Sequence, residues 1–327
     1  MISSGLPSRQ RVREAWTMER LLTERSITLG LSLDASTNRA YSSHLNSYLN
    51  FCHLHQFPVE PTPDILSFYV TYMSQHINPR SVETYLSGIV TQLEPFFPHV
   101  RDARRSRLVT RTLKGALRRF GRPVKRVDAM TCENLLHALS VTPAPFTFDD
   151  LLFLSQLLTG FFGLLRLGEL TWPDAAAAHD YRKLVLRHTV IITSSSYQFE
   201  LQTDKSDHLF QGNSILIHHR PLDPDPYSLF IRYLRARDHL FPLHPHLWLT
   251  SSGLPPTRSW FLNKLKATLP SPSLGGHSMR AGGATFLAAS GVAPAQIQAI
   301  GRWRSDTWER YIRTHPTLLQ SMLFPAS

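Results

Sequence analysis

Between Leu151 and Leu165 the chain is almost unbroken hydrocarbon, with leucine or phenylalanine everywhere except Ser155, Gln156, Thr159, Gly160 and Gly163. A helix over Asp149–Leu167 is therefore apolar on every side and has to be enclosed by other elements. It is too short and too polar to cross a bilayer, which takes about 20 predominantly apolar residues. A globular domain must be built around it. The sequence can supply one: its 327 residues are 42% hydrophobic and 18% charged, unlike a disordered or fibrous chain. At ~100–200 residues per domain, two domains are expected. Cys52 and Cys132 are the only cysteines, giving neither a disulfide framework nor zinc spacing, which suits a reducing compartment. Glu14, Glu19 and Glu24 punctuate the early arginines and no apolar stretch follows, so no secretory or transit leader is expected.

Charge is the second constraint. Lys and Arg number 35 against 24 Asp and Glu, a net of +11, a field suited to a polyanion such as nucleic acid or to an anionic membrane surface. The excess is local. Residues 1–130 hold 18 basic and 10 acidic side chains, and residues 101–126 hold 11 basic ones against the single acid Asp102.

Periodicity and punctuation divide the chain. Residues 1–34 show little periodicity and read as an N-terminal arm. From Ser36, Tyr41, Leu45, Tyr48, Leu49 and Cys52 share one helix face, and Phe57-Pro58 ends it. Thr62-Pro63 and Asn78-Pro79 each pair a capping residue with proline at the first helical position, opening helices over 64–76 and from Pro79. Val82, Leu86, Ile89 and Leu93 form the stripe of the second of these. A fourth helix is predicted over 102–120, with Val109, Leu113, Ala116, Leu117 and Phe120 inward and Gly121 and Pro123 as the stop. Then the pattern changes. Thr131 caps a short helix before the apolar one; Leu184–Thr193 and Tyr197–Leu201 read as a β-hairpin, with Ser214–His218 as a third strand. Helices are predicted over 226–240, 257–269, 277–290, 294–300 and 305–315. The expected fold is mainly α with a small β-sheet (α+β): an arm at 1–34, a helical unit at 35–120, a linker at 121–130 and a mixed domain at 131–327.

On the predicted 102–120 helix, Arg104, Arg107, Arg111, Lys114 and Arg118 fall at i, i+3, i+7, i+10 and i+14. At about 3.6 residues per turn they share one side. Cations in register repel one another, and a purely structural helix interleaves acids. The five are candidate nucleic-acid contacts, since a duplex offers one phosphate per ~1.7 Å of its axis. A merely solvated face is the ordinary alternative.

Four segments of the second half carry a more specific signal. They are Gly163-Leu-Leu-Arg-Leu-Gly-Glu-Leu170, Thr203-Asp-Lys-Ser-Asp207, Gly276-His-Ser-Met-Arg-Ala-Gly-Gly-Ala284, and Gly301-Arg-Trp303 followed by Thr307-Trp-Glu-Arg-Tyr-Ile-Arg313. A lone His-x-x-Arg is a common accident; all four in this order are specific. Together they resemble the boxes of the tyrosine recombinase (phage integrase) family, DNA breaking–rejoining enzymes that include Cre and the eukaryotic Crypton-type elements. The resemblance spans roughly 131–315, and the helical 35–120 unit is similar to the family's SAM-like core-binding domain. It implies a catalytic set of Arg166, Lys205, His277, Arg280, Trp303 and the nucleophile Tyr311. Most bacterial members carry histidine nine residues before the tyrosine, where this chain has Arg302, with Trp303 eight before. The third-box role falls to Trp303 or to Arg302; Trp303 is preferred because Cre-like members use tryptophan, and Gly-Arg-Trp with the shorter spacing resembles the Crypton type.

The implied roles suit these side chains. Attack by a tyrosine on a phosphodiester gathers negative charge on the non-bridging oxygens, which forked guanidinium groups such as Arg166 and Arg280 can hold. Lys205 can protonate the departing 5′ oxygen. The phenol has a reference pKa of about 10, so His277 either assists its deprotonation or hydrogen-bonds the phosphate. Trp303 can only donate, through its indole N–H. Because a 3′-phosphotyrosyl link conserves the broken bond, neither a metal nor ATP nor another cofactor is expected. The resemblance also implies double-stranded DNA as partner, both domains on the duplex, assembly as a dimer or tetramer, no membrane association, and a nuclear address for a eukaryotic mobile element. Family members exchange a C-terminal helix between protomers, for which 316–324 is a short candidate.

Each residue has a duller reading as well. Arg166 can pair with Glu169 three residues on, Lys205 can be an exposed loop lysine, and His277 and Arg280 can be ordinary residues of a helix start. Trp303 and Tyr311 can belong to a core. Three other functions compete with a site-specific recombinase: a domesticated, non-catalytic DNA-binding protein derived from one, a type IB topoisomerase, and a metal nuclease. The last has only His244 and His246 in a proline-rich loop, without nearby carboxylates.

Overall fold

The computed structural model of the chain describes residues 14–30, 33–123, 128–202 and 213–303. Predicted features at 1–13, 124–127, 304–327 and around Lys205 lie outside them. The chain divides into two compact units, Met1–Val124 and Lys125–Ser327. Architecture follows the expected class, mostly helical with one small antiparallel sheet. No described helix is long and apolar enough to cross a membrane.

The described part of the first unit is helical: α1 Met18–Gly30, α2 Ala35–Leu54, α3 Pro63–His76, α4 Pro79–Leu93, α5 Val100–Arg105 and α6 Arg107–Phe120. Capping works as the sequence predicts. The Thr62 side chain accepts from Ile65 N–H and that of Asn78 from Arg80 N–H, with proline following each. Val82, Leu86, Ile89 and Leu93 are buried together with Tyr48, Phe51, Tyr69 and Val70. Two expectations are corrected. The arm contains α1, a helix exposed along its whole length; strong helix formers such as Met, Glu, Arg and Leu build it without a buried face, so periodicity does not reveal it. The basic helix is broken at Ser106, which turns extended (ψ 149°) and accepts from Val109 N–H at 3.3 Å, starting α6 afresh. Arg104 therefore sits on α5, half-buried, with Nη2 3.5 Å from the Glu83 carbonyl. Arg107, Arg111, Lys114 and Arg118 remain on the exposed side of α6, opposite the buried Val109 and Ala116.

The second unit contains α7 Cys132–Val141, α8 Phe148–Phe162, α9 Leu167–Leu170, β1 Ile191–Ile192, β2 Ser196–Leu201, β3 Asn213–His218, α10 Pro226–Leu240, α11 Arg258–Thr268, α12 Ser278–Ala289 and α13 Pro294–Gly301. Its sheet runs β1-β2-β3, all antiparallel, with Tyr197 opposite Ile217 and Phe199 opposite Ile215. The apolar run is the axis of this unit. From Leu151 to Phe161 every residue of α8 is buried, packed against α10 and α12. Each of its polar interruptions makes a side-chain hydrogen bond. Ser155 donates to Leu229 O at 3.1 Å, Gln156 to Leu170 O at 2.7 Å, and Thr159 shares a 2.8 Å bond with the Tyr197 hydroxyl.

Two predicted elements end differently here. The helix over 149–167 stops at Phe162, because the chain turns through Leu164 in the left-handed region (φ 50°). Leu164 N–H bonds Phe161 O and Leu165 N–H bonds Gly160 O at 2.9 Å, a Schellman closure with leucine where glycine is usual. The strand over 184–193 shrinks to Ile191–Ile192. Its first half pairs elsewhere, through Leu247 N–H to Val185 O and Arg187 N–H to Pro245 O, and then tightens into a 3-10 turn at Arg187–Thr189.

Candidate active site

The turn after α8 is the scaffold of the site. Past Leu164 the backbone becomes extended at Arg166, and the Glu169 carboxylate folds back on it, accepting Arg166 N–H at 2.9 Å and Arg166 Nη1 at 2.7 Å. The pairing of Arg166 with Glu169, its ordinary reading, is present. It does not bury the arginine, whose side chain keeps 26% exposure against 7% for Glu169. Gln156, reaching from inside α8 to Leu170 O, fixes the far end of the same short helix.

Helix α12 brings the His-x-x-Arg segment to this turn. Its glycines permit the approach: a Cβ on Gly283 would lie 2.0 Å from Phe161 O, and one on Gly282 2.0 Å from Met130 O. His277 occupies the exposed N-cap of α12, and Arg280 is buried one turn later. Arg280 donates through Nη1 to Leu164 O at 2.7 Å and through Nη2 to Gly301 O, the carbonyl closing α13. Those bonds use two of its five N–H groups and fix its plane. The Trp303 ring lies 4.3 Å from the same guanidinium, a cation–π contact.

Arg302 and Trp303 diverge from the end of α13. Arg302 is left-handed (φ 55°), and Trp303 N–H bonds Gln298 O at 3.1 Å, repeating the closure seen at Leu164. The Arg302 side chain runs to Glu169 Oε2 at 3.0 Å and to Leu164 O at 3.4 Å. Gly301 lets the indole fold back, since a Cβ there would overlap the Trp303 ring at 1.6 Å. Four of the predicted residues, Arg166, His277, Arg280 and Trp303, thus stand on three segments joined at the Leu164 turn. Lys205 and Tyr311 lie outside the described residues. Sequence reasoning missed Glu169 as a bridge between two arginines and missed the carbonyls of Leu164 and Gly301. The Arg166–Glu169 spacing was the one visible signal.

Other titratable side chains of this unit serve the packing. Burial pushes the phenols of Tyr197 and Tyr233 well above the ordinary tyrosine range, and both hydroxyls are bonded, to Thr159 and to the carbonyls of Leu247 and Leu249. The backbone carbonyls of His244 and His246 hold the buried guanidinium of Arg237, and burial lowers the pKa of both imidazoles. Among the described residues no three His, Cys, Asp or Glu are grouped to hold a metal ion.

No protein-family model matches the chain. Nor does any curated protein sequence match it. Solved structures do. A lambda integrase dimer bound to a COC′ core site superposes with a TM-score of 0.56 at 14% identity, over 90% of this chain and 94% of that one. The XerH site-specific recombinase, in a post-cleavage complex with palindromic difH substrate, gives 0.52 at 12%, over 80% and 69%. The Tn1549 transposon integrase with circular intermediate DNA gives 0.52 at 14%, over 88% and 98%. The chain shares its fold with these two integrases and this site-specific recombinase.

Proposed function

We propose that this protein is a site-specific DNA recombinase of the tyrosine type, cutting and rejoining duplex DNA through a 3′-phosphotyrosyl intermediate. The observation that carries the reading is the junction at Leu164. Arg280 hangs from that carbonyl, and Arg166 emerges two residues later, on the fold of lambda integrase. In the reaction Tyr311 Oη attacks phosphorus as the 5′ oxygen departs with a proton from Lys205. Arg166, Arg280 and the Trp303 indole N–H hold the non-bridging oxygens, and His277 takes the phenolic proton or bonds the phosphate. Attack by a 5′ hydroxyl on the phosphotyrosine reverses the step. The bond energy is retained in the link, so the cycle draws on no ATP. Buried and bonded, Tyr197 and Tyr233 are poor alternatives to Tyr311.

The test is covalent capture. Duplexes with a randomised core and a nick release the short strand bearing the new 5′ hydroxyl after cleavage, which removes the nucleophile for reversal. Wild-type protein should form an SDS-stable adduct with selected members of the library, undiminished by EDTA, and Tyr311→Phe should form none. Absence of any adduct, or an adduct persisting in Tyr311→Phe, overturns the assignment. Duplex binding without an adduct leaves a non-catalytic DNA-binding protein in its place.

Both units bind DNA in this reading. The exposed row Arg107, Arg111, Lys114 and Arg118 contacts phosphates, with Arg104 on the preceding helix as a lesser contributor. In a Tyr311→Phe background, Arg111→Gln with Lys114→Gln should weaken duplex binding across all sequences. The slope of log K against log salt should become shallower by about 1.8, about 0.9 per lost phosphate contact. An unchanged slope removes α6 from the interface. We further propose assembly as a dimer or tetramer on DNA, after the dimeric lambda integrase complex, and a Crypton-type mobile element working in the nucleus. Short direct repeats flanking the gene would support that origin.

A further inference from the structure

We propose that Arg302 is a positioning residue that keeps the Glu169 carboxylate from neutralising Arg166. The inference rests on the strand-transferase reading above and assigns Arg302 a part within the same site. Glu169 is the only carboxylate bonded to Arg166 among the described residues, and its side chain is just 7% exposed. A buried carboxylate attracts strongly because little solvent screens it. Paired with Arg166 alone it would leave a neutral couple where a phosphate is to be held. Arg302 donates to the other oxygen, Oε2, at 3.0 Å. Two guanidinium groups then share one carboxylate, and the cluster keeps one positive charge in excess.

Geometry separates this part from direct phosphate contact. The Arg302 side chain is 9% exposed, against 26% for Arg166. It also lies 3.4 Å from Leu164 O, the carbonyl that takes Arg280 Nη1 at 2.7 Å, so one residue steadies the mounts of both arginines. Trp303 turns instead onto Arg280. The backbone sets the direction of that side chain. α12 closes through Gly291 at φ 79°, the economical residue for a left-handed turn, whereas α13 closes through Arg302 at φ 55°. A side chain is disfavoured in that region, and at Arg302, as at Leu164, the surrounding fold holds it there and so fixes where the guanidinium starts.

The test compares single-turnover capture by five variants. Arg302→Gln should slow adduct formation by about 100-fold, as small misplacements of reacting groups do. Arg302→Lys, which keeps the charge, should fall between. Arg302→Gln with Glu169→Gln should recover to within about 10-fold of wild type, because the carboxylate that sequesters Arg166 is gone. Arg302→Gln with Glu200→Gln, which removes an exposed charge on β2, should not recover. Arg302→Gly relieves the backbone and should fold at least as well as wild type while capturing as slowly as Arg302→Gln. Wild-type rates in Arg302→Gln overturn the proposal. So does a double Arg302/Glu169 variant as slow as the single, which would make Arg302 itself a phosphate ligand. If wild-type protein captures no DNA, the strand-transferase reading fails separately. Low-salt duplex affinity in the Tyr311→Phe background then decides the charge-balancing role: loss in Arg302→Gln and recovery only with Glu169→Gln support it, and any other order overturns it.

Discussion

Arg280→Lys is expected to leave the protein folded and to reduce the rate of covalent DNA capture by about 1000-fold. Lysine keeps the charge but loses the planar fork, which is not a conservative change where two acceptors are held at once. Arg280 is 3% exposed and spans the carbonyls of Leu164 and Gly301 under the Trp303 ring. Losing one aligned donor to a developing oxyanion costs about 10²–10³ in rate, and misdirection of the charge adds to that. The structural share is smaller. One carbonyl left without its partner costs about 1–3 kcal/mol, a fall of roughly 2–12 °C in Tm for a unit of this size. Rate and melting temperature measured on the same preparation separate the two. Capture that declines only in proportion to the folded fraction would make Arg280 a structural residue and remove it from the chemistry.

Gly283→Ala is expected to be strongly destabilising. Its Cβ would meet Phe161 O at 2.0 Å and Leu164 Cδ2 at 2.5 Å, and the first of these is backbone that cannot rotate aside. Helix α12 has to move off α8, carrying Arg280 away from the Leu164 carbonyl. Overpacking of this kind costs about 3 kcal/mol or more, so thermal denaturation should shift by roughly 6–12 °C and covalent capture should fall with it. An unchanged melting temperature would mean that the two helices do not need their close approach. Gly168, with open space around it, is the control: alanine there should be neutral in packing.

The sequence made the skeleton legible wherever a local signal had one solution. Thr62-Pro63 and Asn78-Pro79 start helices as their chemistry requires, and the stripe Val82, Leu86, Ile89, Leu93 is buried as its spacing implies. Failures occurred where a local preference yielded to a neighbour. Ser106 fits a helical pattern by spacing, yet its hydroxyl is better used capping Val109 N–H. Leu164 carries no turn signal at all, because glycine is the usual mark of that closure and the fold imposes it on leucine. Residues 184–190 are β-rich in composition but bond to the 245–247 backbone, a partner some 60 residues away that no window reveals. For the candidate site, the order of the motifs is legible in the sequence, whereas the link through Glu169 required knowing that α13 ends beside the α8 turn.

Ser155, Gln156 and Thr159 also govern which way the central rod is rotated. A cylinder of pure hydrocarbon could spin or slide within its sheath at little expense, since one leucine substitutes for another. Each of the three polar groups instead finds its mate on a different wall: α10, the end of α9, and β2. Only one azimuth lets all three bond, and it is the azimuth that sets the start of the turn whose Leu164 carbonyl takes the buried guanidinium of Arg280. The impurities in the greasiest stretch of the chain therefore act as keys in a lock, converting a generic core into a fixed sight line toward Arg280.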